Sequence, residues 1–196
     1  MLTDDDKQLQ WAVWQGFLIL VAIGLALILL FRFGEMLPFL QSLFVSERYS
    51  FLFQVVSGLV IGLVVAFVTL GVLKVTKTTL PRNELTDLLR TMVSSPAGLF
   101  AVVVGAPIVE EFLFRGVLIG LFVDIAPVSL LIGVNALLFM LVHVPQYRGL
   151  PILHLIIFFV GLLLAYLFVA TGALIVPILV HCIYNLIVGI AMRKMV

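Results

Sequence analysis

The amino-acid sequence predicts an all-α fold: a polytopic transmembrane bundle of about six spans, with one further amphipathic surface helix. Three observations predict it. Of 196 residues, 64% are hydrophobic and 11% charged, with a mean hydropathy of +1.32. A soluble domain has about 45–50% apolar and about 25% charged residues, so too few polar residues remain here to cover a water-facing surface. The charges also divide the chain into intervals as long as the roughly 20 apolar residues that cross a bilayer. The polar residues inside those intervals recur at helical spacing. The same composition excludes disorder. A net charge of +1 without a basic cluster excludes a nucleic-acid binder. The single cysteine, Cys182, excludes a disulfide framework and a Cys-rich metal site.

Residues 8–31 and 49–73 carry no Asp, Glu, Lys or Arg over 24 and 25 positions. They predict spans near Trp11–Phe31 and Phe51–Leu73. The acidic flank Asp4, Asp5 and Asp6 and the long apolar run argue against a cleaved signal peptide. Trp11 and Trp14 suit interfacial anchors, and Gly58 and Gly62 form a GxxxG packing face in the second span. Lys74, Lys77, Arg82 and Arg90 make residues 74–95 the most basic loop. Within it Leu85, Leu88, Leu89 and Met92 recur at helical spacing, which predicts an amphipathic helix over Arg82–Val93. A third span follows at about Pro96–Phe122 and a fourth at about Pro127–Val144. The 44 residues from Gly149 to Met192 lack these charges. The Thr171–Gly172 turn divides them into spans near Leu150–Ala170 and Ala173–Met192, with Pro177 early in the last, where a missing N–H costs least. We read residues 1–196 as one membrane domain, without repeat or linker.

Six spans put eight Lys and Arg residues on the side of the termini and two, Arg32 and Arg48, on the other. The positive-inside rule then places both termini in the cytoplasm. The short chain suits a bacterial plasma membrane or an organellar membrane.

Ionisable groups inside a membrane are costly, about 2.5–3.5 kcal/mol at the centre on insertion scales, and mark functional sites. Span three holds Glu110, Glu111 and Arg115. Glu111 and Arg115 are four apart with the acid first, the favourable order for a helical ion pair, so they neutralise each other in a structural role. Glu110 is rotated about 100° away, has no basic partner at helical spacing, and is the free carboxyl. Asn135, Phe139 and His143 form one stripe on span four. His181 and Asn185 share a face of span six. His154 has no such companion and reads as structural, and Cys182 as packing. At 1.5 Å per residue, His143 lies about 5 Å, Asn185 and His181 about 10–16 Å, and Glu110 about 15–20 Å from the cytoplasmic end of their spans. Tilt or an extension of span four through Tyr147 reduces that spread.

Glu110-Glu111-Phe-Leu-Phe-Arg115 is an EExxxR motif, Phe139-Met-Leu-Val-His143 is FxxxH, and His181-Cys-Ile-Tyr-Asn185 is HxxxN. In that order, on successive apolar segments, they resemble the CPBP family, the CAAX proteases and bacteriocin-processing (Abi) enzymes, which includes the type II CAAX prenyl endopeptidases. The resemblance covers about residues 95–190, and the spans within 1–80 are variable among members. It implies an intramembrane endopeptidase. Glu110 would activate water and His143 assist. His181 and Asn185 would bind the oxyanion or a metal, with Glu111 and Arg115 holding the first motif in shape. Asn135 and Phe139 would support the site. The implied substrate is a membrane-bound peptide or protein, lipidated or not.

The chemistry accommodates two versions. Peptide hydrolysis needs an activated water and a stabilised oxyanion, and no serine or cysteine is a convincing nucleophile here. A carboxylate in an apolar site suits a general base near neutral pH, and Asn and His can donate to an oxyanion. Alternatively Glu110, His143 and His181 match the ligand types of a catalytic divalent metal such as zinc, although neither histidine lies in HExxH. The metal-free version is favoured. The alternative classes are a non-catalytic bacteriocin-immunity or scaffold protein of the same fold, and an ion or proton pathway. The complete motif set weighs against the first, and the lack of further intramembrane acids against the second.

Overall fold

A computed structural model describes residues 4–79, 81 and 83–194, and all of its regular structure is helical. We number the helices α1 (Asp4–Phe31), α2 (Met36–Ser42), α3 (Phe51–Val75), α4 (Glu84–Ser94), α5 (Pro96–Val117), α6 (Val128–His143), α7 (Pro151–Thr171) and α8 (Ile175–Lys194). By length and composition α1, α3, α5 and α7 can each cross a membrane, and two shorter apolar helices accompany them, Val128–His143 and Ile175–Ala191. The protein is an integral membrane protein. Its large apolar residues are exposed along α1 and α3, for example Leu18, Leu30, Phe51, Leu52 and Phe67, as lipid-facing helices require.

Local sequence sets the boundaries. Ser50 caps α3 by accepting from the Phe53 N–H. Asn83 and Thr86 form a reciprocal capping box at the start of α4, satisfying donors that a helix N-terminus leaves free. The amphipathic helix therefore begins at Glu84, and Arg82, where the sequence would start it, lies outside the described residues. Gly172 ends α7 at φ +72°, a left-handed conformation that glycine adopts without a Cβ penalty, at the predicted Thr171–Gly172 turn. Arg48 donates to the carbonyls of Val169 and Ala170 at that same helix end, where a cation meets the negative pole of the helix dipole.

The third span is shorter and less regular than predicted. Helix α5 ends at Val117, and residues 118–126 continue as turns. It also contains two π-helical stretches, Ala101–Gly105 and Phe112–Val117. The first has a visible cause. The Ala106 N–H bonds to the Ala101 carbonyl, and the next residue, Pro107, has no N–H to give. The carbonyl of Val102 therefore lacks a helical donor.

Helices α3 and α8 pack closely. A Cβ at Gly58 would stand 2.8 Å from the Leu179 Cβ, and one at Gly62 would stand 2.8 Å from the Ile183 Cβ and 3.0 Å from the Val180 carbonyl oxygen. The GxxxG face thus receives α8, and its small residues permit backbone approach. Gly161 of α7 similarly faces the Ala136 backbone of α6.

Candidate active site

A cavity of about 280 Å³ opens between α1, α3, α4, α5, α6, α7 and α8. Its polar lining includes Glu110, His143, His181 and Asn185. The four residues that the sequence separates by depth thus face one space. Its walls are mostly apolar. Leu85, Leu88, Leu89 and Met92 of α4 line it, so the apolar stripe of the amphipathic helix turns onto the cavity.

Glu111 and Arg115 lie behind this space, both at 0% exposure. Arg115 donates to Glu111 Oε1 at 3.1 Å and to the Gly161 carbonyl at 3.2 Å. Its guanidinium carbon stands 4.3 Å from the Phe139 ring centroid, close enough for a cation–π contact. Phe139 also meets Phe114, His143 and His181 edge-on or tilted, at 5.2, 4.8 and 5.9 Å between centroids. It holds the two histidines at fixed angles to the arginine.

The Glu111 carboxylate has a second partner that helical spacing could not reveal. His181 Nδ1 lies 2.8 Å from Glu111 Oε1. The carboxylate accepts, so Nδ1 carries the proton and Nε2 is left for the cavity. Nε2 stands 3.9 Å from Glu110 Oε2, too far for a hydrogen bond, and Glu110 is 20% exposed. Glu111 therefore both pairs with Arg115 and orients His181, as a carboxylate orients a catalytic imidazole. On α6 the Nδ1–H of His143 donates to the Phe139 carbonyl at 2.7 Å, which likewise leaves Nε2 free.

The two asparagines serve the π-helical stretches of α5. Asn185 Nδ2 donates to the Val102 carbonyl at 3.0 Å, the oxygen that Pro107 leaves without a donor. Asn135 donates to the carbonyl of Phe114, inside the second π stretch. Asn135 is buried away from the cavity lining, whereas Asn185 reaches it. π-bulges of this kind recur at functional sites because they redirect side chains and release backbone groups.

His154 and Cys182 do not line the cavity. No three His, Cys, Asp or Glu side chains among the described residues are arranged to hold a metal ion. Glu110, His143 and His181 are thus not assembled as a ligand set. Helical spacing alone missed Tyr147 and Gln146, which line the same space. Tyr147 continues the stripe of Asn135, Phe139 and His143 by four residues, beyond the helix end at which the sequence stops the span. Val13 and Phe17 of α1 and Thr69 and Leu73 of α3 also line the cavity, and no local pattern could have assigned them there.

Residues 92–187 match the family described as type II CAAX prenyl endopeptidase Rce1-like. No curated protein and no solved structure matches the chain.

Proposed function

We propose that this Rce1-like domain is the catalytic core of an intramembrane endopeptidase in which Glu110 activates the hydrolytic water. The observation that carries the reading is the convergence of Glu110, His143, His181 and Asn185 on one apolar-walled cavity, with Glu110 partly exposed to it. Peptide hydrolysis then runs without a covalent intermediate. Glu110 takes a proton from water as the oxygen attacks the scissile carbonyl carbon. His143 Nε2 holds the water's second proton in a hydrogen bond. The remaining amide hydrogen of Asn185 faces the oxyanion, and His181, held by Glu111, borders the same space. As the carbon–nitrogen bond breaks, Glu110 returns its proton to the leaving amine, which balances the cycle. Glu111 and Arg115 hold His181 in place and do not touch substrate.

The substrate class that fits is an extended peptide carrying an apolar group, lipidated or simply hydrophobic, held at the membrane surface. The cavity lies at the membrane side that bears the α4 segment and the loop after α6. Eight basic residues against two favour the cytoplasm for that side and for both termini.

The test uses purified protein in detergent with a quenched fluorescent peptide bearing a farnesylated CAAX end. Wild type should cleave it, and Glu110→Gln should lose at least about 100-fold in kcat, the lower range for removing a general base. Wild-type turnover in Glu110→Gln would overturn the mechanism. Loss of wild-type activity on chelation, restored by zinc, would show that a metal takes over part of the role given to the side chains.

A further inference from the structure

A developing oxyanion is stabilised by hydrogen-bond donors aimed at it from a dry site. The motif residues are short of them. His143 commits its Nδ1–H to the Phe139 carbonyl and His181 commits its Nδ1–H to Glu111. In a neutral imidazole the other nitrogen is an acceptor, so neither ring presents a donor to the cavity until it gains a second proton. Asn185 spends one amide hydrogen on Val102. One N–H therefore remains from the whole set.

The cavity holds another donor. Tyr147 lies one helical turn beyond His143 along the same stripe and lines the same space as Glu110. Its phenol oxygen accepts from Gln146 Nε2 at 3.1 Å, and no acceptor among the described residues takes its hydrogen. The loop that carries it is fixed, because Asn83 of the α4 cap donates to the Gln146 carbonyl at 2.9 Å. The cavity lining holds a second phenol, Tyr184 of α8, one helical turn from His181 on the chain but not on the stripe of His143.

We infer that Tyr147 is a further catalytic residue, whose O–H donates to the scissile carbonyl oxygen as the tetrahedral intermediate forms, beside the free N–H of Asn185. The assignment rests on the endopeptidase reading. Burial, followed by the nearby Tyr184 and Glu110, holds this phenol above its ordinary range, so it stays a neutral donor around neutral pH. Gln146 strengthens it by donating to the same oxygen, since hydrogen bonds in a chain polarise one another.

The test compares Tyr147→Phe, Glu110→Gln and wild type on the farnesylated peptide. Tyr147→Phe keeps the ring and removes the donor. It should lower kcat about 100-fold, the usual effect of losing one oxyanion donor, with KM within about threefold because the interaction forms only in the transition state. Wild-type kcat in Tyr147→Phe, with Glu110→Gln inactive, would overturn the role of Tyr147 and leave the endopeptidase reading standing. A wild type that does not cleave, or an active Glu110→Gln, would remove both. A rise in KM with unchanged kcat would make Tyr147 a substrate-binding residue and also overturn the proposal. If Tyr147→Phe fails to fold, 3-fluorotyrosine at 147 retains the shape and makes a stronger donor. It should raise kcat below its own titration range, and an unchanged or lower kcat would count against the assignment.

Discussion

Taking Glu111 and Arg115 fully out of water costs several kcal/mol per ion, and their mutual attraction offsets this only with good geometry and further hydrogen bonds. The structure supplies much of this through Gly161, His181 and the Phe139 face, while Glu111 Oε2 and Arg115 Nε are buried without a partner among the described residues. Removing one partner should therefore be far worse than removing both. Arg115→Met should destabilise the protein by about 3–5 kcal/mol, as expected when a buried charge is left unpaired. The double variant Glu111→Leu/Arg115→Met should recover most of that loss. It should not recover peptide cleavage, because His181 loses the carboxylate that fixes its ring. Thermal unfolding in detergent and the cleavage assay, run on the same preparations, separate the two effects. A double variant as unstable as the single one would show that the pair is not held by mutual compensation. The pairing of Glu111 with Arg115 is legible in the sequence because both lie on one helix, four apart. The bond from Glu111 to His181 joins residues 70 positions apart, and single-helix periodicity carries no information about such a contact.

Between residues and the whole bundle, the governing fact is the irregularity of α5. A regular helix would satisfy its own carbonyls and leave Asn135 and Asn185 without backbone partners. Two π-helical stretches free the carbonyls of Phe114 and Val102, and the two asparagines take them. The sites of α5, α6 and α8 are thus tied by backbone geometry as well as by side-chain packing. Pro107 is the sequence cause of one irregularity, but a proline in a helix does not say whether the chain will kink, bulge or end. That is why the depths inferred from ideal rise were spread while the side chains in fact share one cavity. The α3–α8 contact is the other element-scale constraint. Gly62→Leu should push α3 off α8, where an ideal Cβ already meets the Ile183 Cβ at 2.8 Å. It should cost about 1–3 kcal/mol or more and reduce cleavage with it, since Thr69, Leu73, His181 and Asn185 line the cavity from these two helices. Gly71 on the same helix has open space around its Cβ position, and Gly71→Ala should be neutral or slightly stabilising. Equal unfolding temperatures for Gly62→Leu and wild type would show that α3 and α8 are not held by close approach.

At the scale of the molecule, the polar contacts sort to two ends of the bundle. At one end Asn83 meets the Gln146 carbonyl and Gln10 donates to Ser95, which joins the start of α1, both ends of α4 and the loop after α6. At the other, Arg32 pairs with Asp124 at 3.7 Å, Arg48 caps α7, and the Leu174 N–H bonds to the Leu43 carbonyl. Six crossings would produce this alternation of ends. His143, Gln146 and Tyr147 place the cavity toward the first end, so the compartment that end faces decides which peptides reach it. In a Cys182→Ser background, Glu47→Cys and Arg148→Cys mark the two ends, since both residues are exposed. If the basic end is cytoplasmic, a membrane-impermeant maleimide should label Glu47→Cys in intact cells and Arg148→Cys only after permeabilisation. The opposite pattern would invert the protein in the membrane and assign its substrates to the extracytoplasmic side. Labelling of both in intact cells would mean that the two ends are not separated by the bilayer, and the six-crossing topology would fall.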